Sequence, residues 1–241
     1  MLDKQSPIPI YYQIQKILLN KIEKGIWPPK TRLPSERELA EQFGVSRMTM
    51  RNALEGLERS GVLTREIGRG TFVAEPRLTS SLSTLTGFSA EMRALGKQAS
   101  ARVLRLETQL PFPKITHLMG LDPIQELVVV ERLRFTDNEP MAIETCYLNF
   151  PNCFNLLQED LTGSLYQILI SKFDLIPSHA RQQITAGLSN KTESELLGIK
   201  PRSAVLRLNR LTRDQNQQPF EFVDSTYRGD KYIFDAELTL S

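Results

Sequence analysis

Cysteine is almost missing from this sequence, which holds only Cys146 and Cys153. Two thiols permit one bridge or none, so no disulfide framework staples the chain, and two reduced thiols are the preferred reading. Histidine is as scarce. His117 and His179 stand far apart without Cys or carboxylate neighbours at ligand spacing, which argues against a zinc site. No apolar run approaches the about 20 residues of a bilayer span. The start, Met1-Leu2-Asp3-Lys4-Gln5, has no signal-peptide core. The chain therefore reads as a soluble cytoplasmic protein with no membrane partner. It shows no nucleophile elbow, no paired catalytic histidine and no metal constellation, so it reads as a non-enzyme without metal or cofactor. Repeats and low-complexity tracts are also missing.

What is present is a chain of 241 residues, 40% of them hydrophobic, enough for one large domain or two ordinary ones. The net charge of +2 is unevenly spread. Residues 1–76 hold 12 Lys and Arg against 9 Asp and Glu, whereas residues 77–241 hold 18 against 19. A small basic region joined to a neutral larger one suits a polyanion as partner of the first.

Ile10, Ile14, Ile17, Leu18 and Ile22 recur at helical spacing and predict a helix from Pro9 to Lys24, stopped by Gly25. A second helix starts at Ser35, where Ser35 and Glu38 form an S-x-x-E capping box, and ends at Gly44. Ser46 caps a third, whose apolar face is Met50, Ala53, Leu54 and Leu57 and which Gly61 ends. Two short helices around a Gly-Val-Ser turn form a helix-turn-helix pattern. Strands at 62–65 and 71–73, joined by Glu66-Ile67-Gly68-Arg69-Gly70, add a wing with a basic tip. Residues 74–84 have linker composition. The division is a DNA-binding domain over 1–75, a linker over 76–84 and a second domain over 85–241.

The second domain reads as strands at 102–109, 127–135, 141–148, 180–186, 204–214 and 220–227. Helices are expected at 113–119, 165–173 and 192–197, the last opened by a capping box of Thr192 with Glu195. Hairpins interrupted by helices predict an α+β domain on an antiparallel sheet.

Arg47, Thr49, Arg51 and Asn52 fall at the N-terminal part of the third helix, the part that reaches base edges in a helix-turn-helix. Arg pairs with both acceptors of a guanine edge, so Arg47 and Arg51 are the base readers. Arg37 contacts phosphate or a base, and the helix starts at Ser35 and Ser46 favour phosphate. Gly68-Arg69-Gly70 offers an arginine to a minor groove. Each arginine alone reads equally as a solvated helix face. Their succession with caps, turn and wing does not.

Four segments, 9–14, 33–40 (Leu-Pro-Ser-Glu-Arg-Glu-Leu-Ala), 45–51 (Val-Ser-Arg-Met-Thr-Met-Arg) and 68–73 (Gly-Arg-Gly-Thr-Phe-Val), resemble the GntR family of bacterial repressors. The rest is similar to the HutC-type branch of that family through Leu85–Ser89, Glu131–Arg134, Pro140–Glu144, Ser164–Tyr166, Phe220-Glu221 and Tyr227–Asp230. Within the branch the likeness is to repressors of N-acetylglucosamine utilisation. The resemblance implies a winged helix-turn-helix, a UTRA effector domain of chorismate-lyase-like fold, a homodimer, a double-stranded DNA operator, and release by a small phosphorylated effector. N-acetylglucosamine 6-phosphate and glucosamine 6-phosphate are the expected examples.

The same resemblance places an effector site at Thr86, Gly87, Phe88 and Ser89, with Arg132 or Arg134 as countercharge and Ser164 and Tyr166 as hydroxyl donors. Glu144 and Glu221 accept from the sugar, and Tyr227 closes the other side. Arg181 is a further contact. Gly87 stands where a hydroxyl residue is expected. Read as residues alone, Arg132 and Arg134 are solvent-facing strand positions, Glu144 and Glu221 partners of sheet arginines, and the tyrosines core aromatics. A lyase-like enzyme, a different effector (another sugar phosphate, a fatty acid, an amino-acid derivative) and activation instead of repression stay open as alternatives.

Overall fold

A computed structural model describes residues 2–3, 5–66 and 68–239. The chain forms two compact units, Met1–Arg77 and Leu78–Ser241.

In the first unit α1 (Ile10–Glu23), α2 (Glu36–Phe43) and α3 (Arg47–Arg59) precede a hairpin of β1 (Leu63–Glu66) and β2 (Gly70–Val73). The capping box at Ser35 is formed, and Gly44 adopts the left-handed conformation that ends α2 at φ 61°. Ser46 caps α3 by accepting from the Thr49 amide. Ile14 and Leu18 of α1 meet Leu39, Met50, Ala53, Leu54 and Leu57 in one core, closed by Leu63 and Val73. The segment before α2 joins the wing, since the Leu33 amide donates to the Thr71 carbonyl at 2.8 Å. The Gln15 side chain, donating to the Ala53 carbonyl, fills the space beside Gly56 of α3.

The second unit begins where a linker was expected. Leu78–Ser81 is a strand, β3, paired in parallel with β10 (Tyr232–Asp235). Buried Ser80 and the partner strand's Tyr232 fix it, so serine-rich composition misreads this segment as free linker. The unit boundary falls after Arg77, inside the stretch 76–84 expected as linker, and the second unit takes in residues 78–84. The stretch 85–89, expected at the effector site, runs into a helix: α4 (Phe88–Ala94) starts there and buries Phe88 and Met92, one turn apart.

The remaining elements are β4 (Ala99–Gln109), α5 (Pro113–Met119), β5 (Leu127–Thr136), β6 (Glu139–Leu148), a 3-10 turn (Cys153–Gln158), α6 (Leu165–Phe173), β7 (Pro177–Leu188), α7 (Lys191–Leu197), β8 (Ala204–Asp214) and β9 (Pro219–Arg228). Six strands form one antiparallel sheet in the order β4-β5-β6-β9-β8-β7. Asp137 and Asn138, both at positive φ, make the tight β5–β6 turn. The box opening α7 sits two residues earlier than expected, on Asn190 and Glu193 instead of Thr192 and Glu195. Arg207 holds Glu193 at 2.7 Å and decides between the registers.

Helices cover both faces of the sheet. On one, Leu127, Val129 and Phe222 pack against Ile115 and Met119 of α5, and Leu133 and Ile143 against Leu197 of α7. On the other, Val128, Val130, Cys146, Leu148 and Val223 pack against Leu165 and Leu169 of α6. A strand covered on both faces is buried throughout. Arg132 and Arg134 of β5, read from residues alone as solvent-facing, are therefore 1% and 2% exposed. Among the described residues no helix is long and apolar enough to cross a membrane.

Candidate functional site

On the first unit the core face of α3 leaves Arg47, Met48, Arg51 and Asn52 exposed. Arg51 Nε lies 3.4 Å from Glu55 and 4.0 Å from Glu36. Glu36 also accepts from Arg65 of β1 at 2.7 Å, so one carboxylate at the start of α2 ties the reading helix to the wing. Ser35 and Ser46 use their hydroxyl oxygens as caps, and Thr49 shares a 2.8 Å bond with Ser46. These three shape the surface, while Arg37, Arg47, Arg51 and Asn52 project from it. Gly68 at φ 77° turns the wing, and exposed Arg69 pairs with Glu66 while lying 5.7 Å from the Phe72 ring. Gly70 opens β2 at φ 120°, a backbone state that L side chains rarely adopt. Ile67 of this turn lies outside the described residues.

In the second unit, strand register assembles the other site. Cross-strand neighbours share a face, which aligns Arg132 with Glu144 and Ser225, Arg134 with Ala142 and Tyr227, Val223 with Arg210, and Leu148 with Glu221 and Thr212. Tyr166 of α6 and Gly87–Ser89 close over this face. They bound an inner chamber of about 10 Å³, lined by Arg132, Arg134, Arg210, Glu144, Glu221 and Ser164 among others. An open cleft of about 630 Å³ adjoins it, reaching Ser80–Thr86, Tyr227, Phe234 and the β7 residues Ser178–Ala180, Gln182 and Ile184.

Charge decides what the chamber holds. It is lined by three arginines against two glutamates. Arg132 donates to Glu144 and, at 3.3 Å each, to the Leu161 and Gly163 carbonyls. Arg134 donates to Glu144 at 3.2 Å and Ser89 Oγ at 2.9 Å, with its guanidinium 4.7 Å from the Phe88 ring. Burial pushes the Glu144 carboxyl up, but Arg132, Arg134 and Arg210 outweigh it and hold it down at about 2. Burial, reinforced by Arg132, lowers the Arg134 pKa against the pull of Glu144. Glu221 takes hydroxyls from Tyr166 and Thr212, each at 2.8 Å. Ser164 accepts from the Gln167 amide as the cap of α6, leaving its own O–H as a donor.

Buried donors are almost always satisfied. Here Arg132, Arg134 and Arg210 each keep a buried Nε without an acceptor, and Ser225 Oγ is orphaned on the same sheet face. Four of the five such atoms among the described residues (the fifth is Gln109 Nε2) belong to this one face. A surplus cation and orphaned donors suit an anionic, oxygen-rich ligand.

Comparison with known families agrees with both halves. The bacterial regulatory protein, gntR family, matches residues 10–73, and the UTRA domain matches residues 94–233. The chain belongs to the GntR family. Among curated relatives, the HTH-type transcriptional repressor NagR of Bacillus subtilis (strain 168) is 38% identical over 97% of this chain and 96% of that protein. The histidine utilization repressor of Pseudomonas putida is 30% identical over 86% and 84%. Among solved structures, PhnF from Mycobacterium smegmatis matches with a TM-score of 0.66 and 27% identity, covering 96% of this chain and 99% of that one. As a GntR-family protein of HutC type the chain is a DNA-binding transcriptional repressor, and its relatives are regulators, not enzymes.

For this GntR-family chain the structure brings Gly87, Phe88, Ser89, Arg132, Arg134, Glu144, Ser164, Tyr166 and Glu221 around one chamber, with Thr86 and Tyr227 on the adjoining cleft. Gly87 replaces the expected hydroxyl residue because a Cβ there would come within 3.3 Å of the Tyr166 ring. Arg181 is corrected. It is exposed on β7, while its neighbours Ala180 and Gln182 line the cleft, so alternation turns it away. Arg210 was missed. The alternation of Leu208, Arg210 and Thr212 along β8 was its only signal, and nothing local marks which face is covered. Met48, 63% exposed beside Arg47, was missed as well; an apolar side chain off the core face suits a thymine methyl.

Proposed function

We propose that this GntR-family repressor is released from its operator by a small phosphorylated effector, an amino-sugar phosphate such as N-acetylglucosamine 6-phosphate or glucosamine 6-phosphate. It acts in the cytoplasm as a homodimer, since a two-fold operator matches a two-fold protein. Arg47, Arg51 and Asn52 read base edges, Arg37 and Arg69 reach the backbone and minor groove, and Ser35, Ser46 and Thr49 hold the helix starts in place. The observation that carries the effector reading is the chamber with three arginines for two glutamates and orphaned guanidinium donors. A fatty-acid pocket has no use for that arrangement. The likeness to NagR supports the reading.

Regulation requires that the effector prefer one state of the protein. The inner chamber has room for about one water molecule. A phosphate reaching it must therefore displace Gly87–Ser89 or stop at its mouth. That segment follows β3, the first strand after Arg77, so a shift there is delivered along the chain to the DNA-binding unit.

A thermal-shift series with sugar phosphates and their unphosphorylated forms tests this. At a hundred times its dissociation constant the effector adds about 2.7 kcal/mol, which raises Tm by about 5–10 °C for a chain of this size. Equal shifts from phosphorylated and plain sugars would remove the phosphate from the proposal. Operator affinity unchanged at saturating effector would remove the release mechanism.

A further inference from the structure

The cleft and the inner chamber share Phe88, Glu144 and Arg210, which places Arg210 at the neck between them. The three guanidinium groups, those of Arg132 and Arg134 buried and that of Arg210 half-buried, differ in how much of their donor capacity the protein uses. Arg132 makes three bonds, to two carbonyls and to Glu144. Arg134 is held by Glu144 and Ser89. Arg210 makes a single long bond, from Nη1 to the Thr86 carbonyl at 3.5 Å, and enters no ion pair among the described residues. Its Nε is buried without an acceptor. The Tyr166 ring, 5.7 Å away, flanks the guanidinium. A guanidinium carries five donors in a fixed fork, so Arg210 has the most unused hydrogen-bond donors of the three, and it faces the open side.

We propose that Arg210 is a specificity-determining residue: it takes the anionic group of the effector in exchange for the Thr86 carbonyl, and so reports occupancy to the segment joining β3 to α4. This rests on the anionic-effector reading above. The fork matches two oxygens of a phosphate monoester, whereas one carbonyl at 3.5 Å satisfies a single donor poorly. The exchange needs no enlargement of the 10 Å³ chamber, because Arg210 meets the ligand at its mouth. Releasing Thr86 frees the stretch 82–86, which lines the same cleft.

The test compares full-length wild type with R210Q and R210K, using inorganic phosphate, N-acetylglucosamine 6-phosphate and plain N-acetylglucosamine as probes in calorimetry and thermal shift. R210Q should weaken the sugar phosphate on the order of 10- to 100-fold, the worth of charge-assisted hydrogen bonds. The plain sugar should change by less than about threefold. R210K, which keeps the charge without the fork, should fall between, and it decides the matter should R210Q not fold. Phosphate should alter amide exchange at 82–87 in wild type and not in R210Q. Equal loss for both sugars, an undiminished phosphate preference, or unaltered exchange at 82–87 in phosphate-bound wild type overturns the inference. If wild type binds phosphate but neither amino-sugar phosphate, and R210Q loses phosphate, the role of Arg210 stands and the amino-sugar reading falls. A wild type indifferent to phosphate and to the sugar phosphate overturns both.

Discussion

Replacing Glu144 by Gln preserves the shape of the side chain and removes its charge. The carboxylate is 6% exposed and accepts from Arg132 and Arg134, so E144Q leaves two buried guanidinium groups facing a neutral amide. The carboxyl stands at about 2 in the folded protein against an ordinary 4.5. That difference corresponds to about 3 kcal/mol of preference for the charged form. Removing one partner of a buried ion pair costs about 3–5 kcal/mol, which agrees. For a unit of this size the loss lowers Tm by about 6–12 °C at neutral pH. Because folding depresses this carboxyl, its contribution is complete above 4.5 and is lost as pH falls through about 2. The gap between wild type and E144Q should thus be constant from pH 6 to 8 and narrow over that acid window. Differential scanning calorimetry at several pH values measures it. E107Q is the control: Glu107 is 49% exposed and pairs with Arg105 at 3.1 Å, so its removal should move Tm by under about 2 °C. A Tm change for E144Q as small as the control's, or a gap that persists undiminished in acid, refutes the charge argument.

Arg51→Ala should cost about 1–3 kcal/mol of operator binding and relax sequence preference, measured by anisotropy at fixed salt. An unchanged preference among operator variants contradicts base reading by Arg51. Gly229→Ala places a Cβ 2.8 Å from the Ala204 carbonyl oxygen and 3.1 Å from its carbon, which are backbone atoms without a flexible side chain to swing aside. It should lower stability by about 1–3 kcal/mol in a thermal melt, and wild-type Tm in this variant would show that the backbone yields.

The first unit was readable almost residue by residue, because its signals are local. Ser35 with Glu38, Gly44, Ser46, and the Met50-Ala53-Leu54-Leu57 spacing each specify a cap or a face within one or two turns. Met48 escaped because its own pattern is silent; only its 63% exposure marks it. The second unit was readable as strands and hairpins but not as a site. Whether Arg132 points into solvent or into the protein depends on what covers β5, and the cover comes from α4 and α6, far away in sequence. The same non-locality hid β3, whose partner β10 lies near the other end of the chain. It hid Arg210, which joins the site through cross-strand register with Val223 and Gln182. The family resemblance located the motif-borne part of the site and passed over Arg210, which lies outside every matched stretch.

Burying two arginines and two glutamates on a covered sheet face, with a third arginine half-buried beside them, is not how a chain gains stability. Hydrophobic residues of similar volume hold a core as well or better than buried ion pairs. The arrangement is nonetheless graded in one direction across the sheet. On β5, next to the edge strand β4, Arg132 makes three bonds to protein and its neighbour Arg134 makes two; Arg210, three strands over on β8, makes one. The more heavily bonded end fixes the carboxylate Glu144, and Glu144 in turn keeps Arg134 in place beside Ser89. Burial works against the charge of Arg210, beside β7 and the cleft, and Tyr166, Glu221 and Glu144 favour it from a distance, but among the described residues no carboxylate lies within ion-pair reach of it. A purely structural network would satisfy its members evenly. One whose bonding falls off from the inner end toward the cleft leaves most of its unmet donors where a ligand arrives, and this asymmetry ties the sensing role to Arg210 instead of to the more deeply buried Arg132.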